Sequence, residues 1–180
     1  MKVTAFLIER FETTEALAVV DILRRAGLEV ETVSLMPTIQ VVSAQQVTVQ
    51  ADVMFRDCDF SKTDVFFLPG GPGTSHYMEH PKTMAMLQQA NADGKWVTAI
   101  CVAPSVLGQL GILKGRKATC YPGYEKELIG AAYVGDKVVV DGNIITGKGM
   151  GASIDMGLEM VRQLVGDQKA QELAQGIQFL

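Results

Sequence analysis

The residue whose surroundings best suit covalent chemistry is Cys101. A mostly β-branched apolar run, residues 97–100, precedes it, and small residues with Pro104 follow before a helical pattern begins at Ser105. The pattern predicts a sharp turn between a buried strand and a helix start, where backbone N–H groups are free and the positive helix end is near. Such a place favours the thiolate, the nucleophilic form of cysteine, and can lower the thiol pKa. The alternative is a structural core cysteine, because free cysteines are commonly buried.

Two glycine-rich stretches are candidates for a binding edge. Residues 69–73 (PGGPG) follow a predicted buried strand at 64–68, and such a loop lets backbone approach a ligand at the carboxyl end of a parallel strand. Residues 147–152 match G-x-G-x-x-A, but no second strand with an acidic residue follows, as a dinucleotide site requires. We therefore predict no bound cofactor, and a loop that reaches the same sheet edge as Cys101.

The elements around these stretches alternate between strand and helix patterns. Residues 2–8 form a continuous apolar run, a helix follows that ends at Gly27, and residues 28–35 predict the next strand, so the chain opens with a βαβ unit. Residues 38–55 predict an antiparallel hairpin excursion at the sheet edge, and Asp141-Gly142 predicts a second hairpin. Residues 74–79 have a helical pattern, and residues 117–121 predict a further strand. We expect one α/β domain over residues 1–180, with a mostly parallel sheet.

Composition excludes several classes of protein. The net charge is −4 and the 16 basic residues are scattered, so a nucleic-acid partner is not expected. Three cysteines at unlike spacings and two histidines argue against a disulfide framework and against a metal site. The apolar run at the N-terminus is about seven residues long, too short for a signal sequence or a membrane span, and we expect a cytoplasmic protein.

Several stretches together resemble the ThiJ/PfpI superfamily, which is related to class I glutamine amidotransferases. They are residues 68–71 (LPGG), residues 99–104 (AICVAP) and the opening strand and helix with Glu15; residues 24–27 (RRAG) and 146–152 also fit. The Cys-x-x-Pro form is most similar to the branch that contains the parkinsonism-associated protein. The resemblance implies a flavodoxin-like three-layer α/β sandwich, a homodimer, and a cysteine on a strained turn called a nucleophile elbow.

The resemblance also implies roles for particular residues. Cys101 would be the nucleophile, Glu15 the carboxylic acid that hydrogen-bonds its sulfur, and the N–H groups of Gly71 and Val102 an oxyanion hole. Burial and a nearby thiolate would raise the pKa of Glu15, so that it could donate and accept a proton. The alternative for Glu15 is a first-turn acidic residue that interacts favourably with the helix dipole. Gly70, Tyr121 and Pro122 are further candidates for lining the site.

One position departs from the family pattern. Relatives often carry a histidine near the active cysteine where this chain has Tyr121, which is a poor base at neutral pH. The protease-like branch also carries a histidine directly after the cysteine, where Val102 stands here. A Cys-His triad and protease activity are therefore not expected. Cys120 could approach Cys101 or belong to the core, and Cys58 falls in a polar loop with no expected role.

Two functions remain in view. The first is an enzyme that acts on small reactive carbonyl compounds through Cys101 and Glu15, either as a cofactor-independent glyoxalase or as a protein deglycase. The second is a non-enzymatic sensor of oxidative stress, because an accessible thiolate beside a hydrogen-bonding acid is also suited to reversible oxidation. A third alternative is a subunit whose cysteine is vestigial and whose glycine-rich edge binds a small ligand or partner.

Overall fold

A seven-stranded sheet forms the centre of the molecule in the computed structural model, which describes residues 1–179. In spatial order its strands are β10 (Val138–Asp141), β11 (Ile144–Gly147), β7 (Trp96–Ile100), β6 (Thr63–Leu68), β1 (Lys2–Leu7), β2 (Glu29–Ser34) and β5 (Val53–Met54). Neighbouring strands run parallel except in the hairpin of β10 and β11. The helices are α1 (Thr13–Arg25), α2 (Pro81–Ala92), α3 (Pro104–Gln109), α4 (Ser153–Leu164) and α5 (Asp167–Gly176).

The sheet separates two hydrophobic cores because successive strand side chains point to opposite faces. Along β6, Val65 and Phe67 belong to one core and Phe66 and Leu68 to the other. The first core also contains most buried side chains of α1, α4 and α5, and the second contains those of α2 and α3. Both faces of the sheet are therefore covered, and the predicted α/β sandwich with a mostly parallel sheet is confirmed.

The predicted ends of several elements are also found. α1 ends before Gly27, whose φ of 85° is in the left-handed region that favours glycine. At the start of α1, the side chain of Glu12 accepts a hydrogen bond from the Glu15 N–H (2.6 Å) and so caps the helix. Gly142, with a φ of 60°, forms the tight turn of the β10–β11 hairpin.

The structure differs from the sequence prediction in three segments. β3 (Gln40–Val42) and β4 (Thr48–Gln50) form the expected hairpin, but as a separate sheet, and the chain then returns to the main sheet as the short strand β5. Residues 72–79 form a 3₁₀ helix. A strand over residues 117–121 was the wrong prediction: only β8 (Lys117–Ala118) is extended, and it pairs with β9 (Ala132–Tyr133). Within residues 1–179, no helix is long and apolar enough to cross a membrane.

Candidate active site

Cys101 lies on a strained turn at the carboxyl end of β7. Its φ is 66°, a backbone conformation that residues with a side chain rarely adopt. Two neighbouring loops hold it there: the Cys101 N–H donates to the carbonyl of Gly147 (2.9 Å), and the Cys101 carbonyl accepts from the Tyr121 N–H (2.8 Å). The strand–turn–helix placement predicted for this cysteine is therefore present, and the loop after β11 reaches the same edge, as expected.

Glu15 is fully buried in the first turn of α1. Its Oε2 accepts a hydrogen bond from the N–H of Gly70 (3.0 Å), whereas Oε1 has no hydrogen-bond partner among the described residues. Burial raises the pKa of this carboxyl to about 7; the neighbouring Cys101 thiol and the Gly70 N–H act in the opposite direction, and the charge of Glu12 adds to the rise. A solvated residue that only complements the helix dipole would not need this burial, so the dipole alternative does not account for Glu15.

The Cys101 side chain is 7% exposed. Burial, followed by the negative charge of Glu15, raises the pKa of the thiol to about 12, while the N–H groups of Gly71 and Val102 stabilise the thiolate and act in the opposite direction. The sequence predicted a lowered pKa for the Cys101 thiol, and this prediction is wrong for the state in which Glu15 is ionised. In that state, ionising the thiol would bury two negative charges side by side. The two groups titrate as a pair, and the location of their shared proton decides whether the thiolate is present.

The glycines of residues 69–73 bring backbone close to the sulfur. A Cβ atom on Gly70 would lie 2.7 Å from the Cβ of Cys101, and one on Gly71 would lie 2.7 Å from the carbonyl oxygen of Arg10. Gly71 also has a φ of 100°. A side chain on Gly70 would therefore push the loop away from Cys101, and one on Gly71 would push it away from the backbone of residues 10–12. The structure therefore brings together the four residues that the sequence analysis placed in the reactive centre: Cys101, Glu15, Gly71 and Val102.

The reactive pair opens into a cleft of about 800 Å³. Tyr121 lines it, as expected, whereas Pro122, in the adjoining turn, and Gly70 do not. The Gly70 N–H instead donates to Glu15. Further residues of the wall were not predicted from the sequence, among them Met78, Tyr124, Glu127 and Met150. For Tyr124 a signal existed, because a Pro-Gly turn places the residue three positions after Tyr121 beside it. For Met78 no local signal distinguishes a cleft residue from a core residue.

The other two cysteines lie outside the cleft. Cys120 is fully buried in the core between the sheet and α3, which agrees with the core alternative. The Cys58 thiol donates a hydrogen bond to Oε2 of Glu31 (3.2 Å), a contact that the sequence analysis did not foresee. Within residues 1–179, no group of three or more His, Cys, Asp or Glu side chains is arranged to hold a metal ion.

Comparisons with known proteins agree with this geometry. The DJ-1/PfpI family model matches residues 1–163. Protein dj-1beta of Drosophila melanogaster is 35% identical over 169 residues, which cover 92% of this chain and 90% of that protein. A glutathione-independent glyoxalase of Caenorhabditis elegans is 32% identical, with 92% and 89% covered. A deglycase of Pyrococcus abyssi is 29% identical, with 82% and 90% covered.

Solved structures show the same fold. The crystal structure of a cysteine-to-alanine mutant of a DJ-1 superfamily protein from Salmonella typhimurium has a TM-score of 0.92 and 36% identity, and the match covers 98% of this chain and 97% of that one. Toxoplasma gondii DJ-1 in an oxidized form has a TM-score of 0.93 and 31% identity, with the same two coverages.

Proposed function

The chain belongs to the DJ-1/PfpI family, and from that membership we propose that it converts small 2-oxoaldehydes into 2-hydroxy acids without a cofactor. Relatives with the names glyoxalase and deglycase support carbonyl chemistry as the class of reaction. The observation that carries the proposal is the pair of Glu15 and Cys101. A buried carboxyl with a pKa of about 7 lies beside a sulfur that faces two backbone N–H groups.

The pair can supply both a nucleophile and a proton. At neutral pH, moving the proton from sulfur to Glu15 leaves a thiolate that the N–H groups of Gly71 and Val102 stabilise. The protonated carboxyl can then use Oε1, which has no hydrogen-bond partner in the described part of the chain, to donate a hydrogen bond into the site. A group that both donates and accepts a proton works best with a pKa near the working pH, and the raised pKa of Glu15 meets that condition.

With methylglyoxal the steps would run as follows. The Cys101 sulfur forms a bond to the aldehyde carbon, and the oxyanion of the resulting hemithioacetal is stabilised by the same two N–H groups. Glu15 gives its proton to that oxyanion, and the resulting carboxylate takes the proton from the same carbon and returns it to the neighbouring carbon. The hydroxyl proton of the first carbon passes to the oxygen of the second, which gives a thioester of lactate. Water then cleaves the carbon–sulfur bond, releasing lactate and the thiol. The net reaction is methylglyoxal plus water to lactate. Deglycase chemistry would use the same groups on carbonyl adducts of proteins.

Lactate formation from methylglyoxal tests the proposal. The wild-type protein should produce lactate, and Cys101→Ser and Glu15→Gln should each lower the rate by more than roughly 10²-fold, the usual effect of removing an acid–base group or a nucleophile. Cys58→Ser is the matched control. Cys58 is also a thiol hydrogen-bonded to a carboxylate, but it lies outside the cleft, so its removal should leave the rate unchanged. Unchanged turnover in both site variants would exclude the mechanism.

The second candidate function is a sensor of oxidation. It is favoured by Oε1 of Glu15, a buried acceptor or donor without a partner that could hydrogen-bond an oxygen atom added to the Cys101 sulfur. Intact-mass measurement after peroxide treatment would test it. Two added oxygens confined to Cys101, with negligible lactate formation, would support sensing, whereas oxidation spread over all three cysteines would oppose it.

We further propose that the protein is a homodimer of single-domain subunits in the cytoplasm. The odd number and unlike spacings of Cys58, Cys101 and Cys120, which do not suit a disulfide framework, support a reducing compartment. Sedimentation equilibrium would test the dimer: a mass of one subunit across the micromolar range would oppose it.

A further inference from the structure

The cleft is much larger than a three-carbon substrate requires. Its volume of about 800 Å³ is in the range of sites that enclose drug-sized ligands, whereas a small aldehyde has only a few non-hydrogen atoms. Cys101 and Glu15 occupy only one part of its wall. The remainder therefore surrounds whatever is attached to the reacting carbonyl group.

Four large apolar side chains form much of that remaining wall. Met78, Tyr121, Tyr124 and Met150 line the cleft and are 43%, 49%, 39% and 55% exposed. They come from three separate segments, and clustered exposed apolar surface of this kind commonly marks a ligand site. Tyrosine rings in particular offer flat faces for stacking against an aromatic group.

The two tyrosines are fixed relative to the sulfur. The Tyr121 N–H donates to the carbonyl of Cys101 (2.8 Å), and the Tyr124 N–H donates to the carbonyl of Tyr121 (3.1 Å), which closes a turn. A substituent on a carbonyl compound bound at Cys101 would therefore meet a positioned aromatic wall.

The charged side chains that line the cleft are all acidic. They are Glu12, Glu15 and Glu127, and within residues 1–179 no Lys, Arg or His contributes to the wall. A substrate with a carboxylate would have no cationic partner there and would lie near like charges, which opposes binding.

We propose that the cleft admits to Cys101 electrophiles whose substituent is bulky, apolar and free of negative charge, and that Tyr124 and Glu127 determine this selectivity. Among 2-oxoaldehydes, the favoured class is then an aryl-substituted one rather than methylglyoxal or a carboxylate-bearing compound. The 2-oxoaldehyde part of the inference rests on the proposed function, whereas access to the Cys101 sulfur does not.

Turnover of three substrates tests the selectivity. Methylglyoxal, phenylglyoxal and 4-carboxyphenylglyoxal are compared by kcat/KM in the wild type, Tyr124→Ala and Glu127→Gln. Tyr124→Ala should lower the preference for phenylglyoxal over methylglyoxal by about tenfold, and Glu127→Gln should raise the relative rate with the carboxylated compound several-fold, since single pocket contacts discriminate by roughly 10- to 200-fold. Tyr133→Ala and Glu172→Gln, which change exposed residues outside the cleft, are the matched controls.

A second measurement separates the inference from the proposed function. Cys101 is alkylated with iodoacetamide, its N-phenyl derivative and iodoacetate, and the rates are read from peptide masses. Faster reaction with the phenyl reagent and slower reaction with iodoacetate, both diminished in the cleft variants but not in the controls, would support the selectivity even in a protein without turnover. A different result would overturn the selectivity while leaving the proposed function intact. In that result the protein turns over 2-oxoaldehydes, but the wild type, the two cleft variants and the two controls all show the same ratios between substrates and between alkylating reagents.

Discussion

Two cysteine–glutamate pairs lie in different parts of the molecule and differ in what surrounds the carboxylate. Glu31 forms an ion pair with Lys2 (2.8 Å), and its pKa is lowered, chiefly by that contact. Among residues 1–179 no cation contacts Glu15, and burial raises its pKa to about 7. Burial raises the pKa of both thiols, Cys58 and Cys101, to about 12 beside an ionised carboxylate.

The difference teaches that a nearby acid does not by itself activate a thiol. Glu31 stays ionised near neutral pH, so it only accepts a hydrogen bond from the Cys58 thiol, which remains protonated. Glu15 can take a proton at neutral pH, and the Cys101 sulfur has the N–H groups of Gly71 and Val102 to stabilise its charge. The first pair is therefore structural, and the second can exchange its proton.

The largest expected effect is in the pH dependence of alkylation. If the proton that the pair keeps above pH 7 resides on Glu15, the rate at Cys101 should rise with an inflection near pH 7 and then level off, whereas the rate at Cys58 should still be rising above pH 10. In that case Cys101 should react at least about 100-fold faster at pH 7.5, although the pKa of each thiol is raised to about 12 while its neighbouring carboxylate is ionised. Peptide mass spectrometry after brief treatment with iodoacetamide measures both rates. A Cys101 rate that also rises past pH 10 would place the shared proton on sulfur and remove the contrast.

The next effect is on stability. An acid whose pKa is raised in the folded state binds its proton more tightly there than in the unfolded chain, so the wild type should lose stability as the pH rises from about 4.5 to about 7. Between pH 5.5 and pH 8.5 the loss should be roughly 2 kcal/mol, from 1.5 pH units at 1.36 kcal/mol each. The Glu15→Gln variant has no such charge to bury, so its free energy of unfolding should change less over the same pH range. Urea unfolding at both pH values measures this, and parallel losses in the two proteins would contradict it.

Much of the fold follows from local sequence patterns. Three kinds of feature were predictable because each depends on neighbouring residues alone. They are the buried strands with apolar residues on both faces, the end of α1 at Gly27 and the tight turn at Gly142. The segment after β8 was not predictable. Its backbone pairs with Cys101 through the Tyr121 N–H instead of extending a strand, and that bond is a long-range contact without a sequence signature.

The site was predictable to a smaller extent. The position of Cys101 on a turn follows from the residues on either side of it, and its association with Glu15 came from the family resemblance. The rise in the thiol pKa was missed because burial and the charge of Glu15 depend on packing between α1 and the end of β7. The apolar cleft wall was missed for the same reason: Met78 and Met150 come from segments that only the fold brings together.

A smaller effect is expected when a backbone donor at Cys101 is displaced. Gly71→Ala would place a Cβ 2.7 Å from the carbonyl oxygen of Arg10 and should move the Gly71 N–H away from the sulfur. Losing one hydrogen bond to a thiolate should slow alkylation of Cys101 by about tenfold at pH 7.5. Gly27→Ala is the matched control, since Gly27 also has a positive φ but would meet no atom within 4 Å. Equal rates in the two variants would show that the donor is not needed.

The smallest effect is expected when the cation of the structural pair is removed. Lys2→Met should let the pKa of Glu31 return toward its ordinary value, which still leaves this partly exposed carboxylate ionised at pH 7.5 and unable to donate a proton. The Lys2 charge also lowers the pKa of Cys58, so its loss should slow alkylation of Cys58 slightly, by less than about threefold. The same mass-spectrometric assay measures this, with Cys101 in the same sample as the internal control. If Cys58 instead became as reactive as Cys101, then the absence of a cation, and not the burial of Glu15, would be what distinguishes the two pairs.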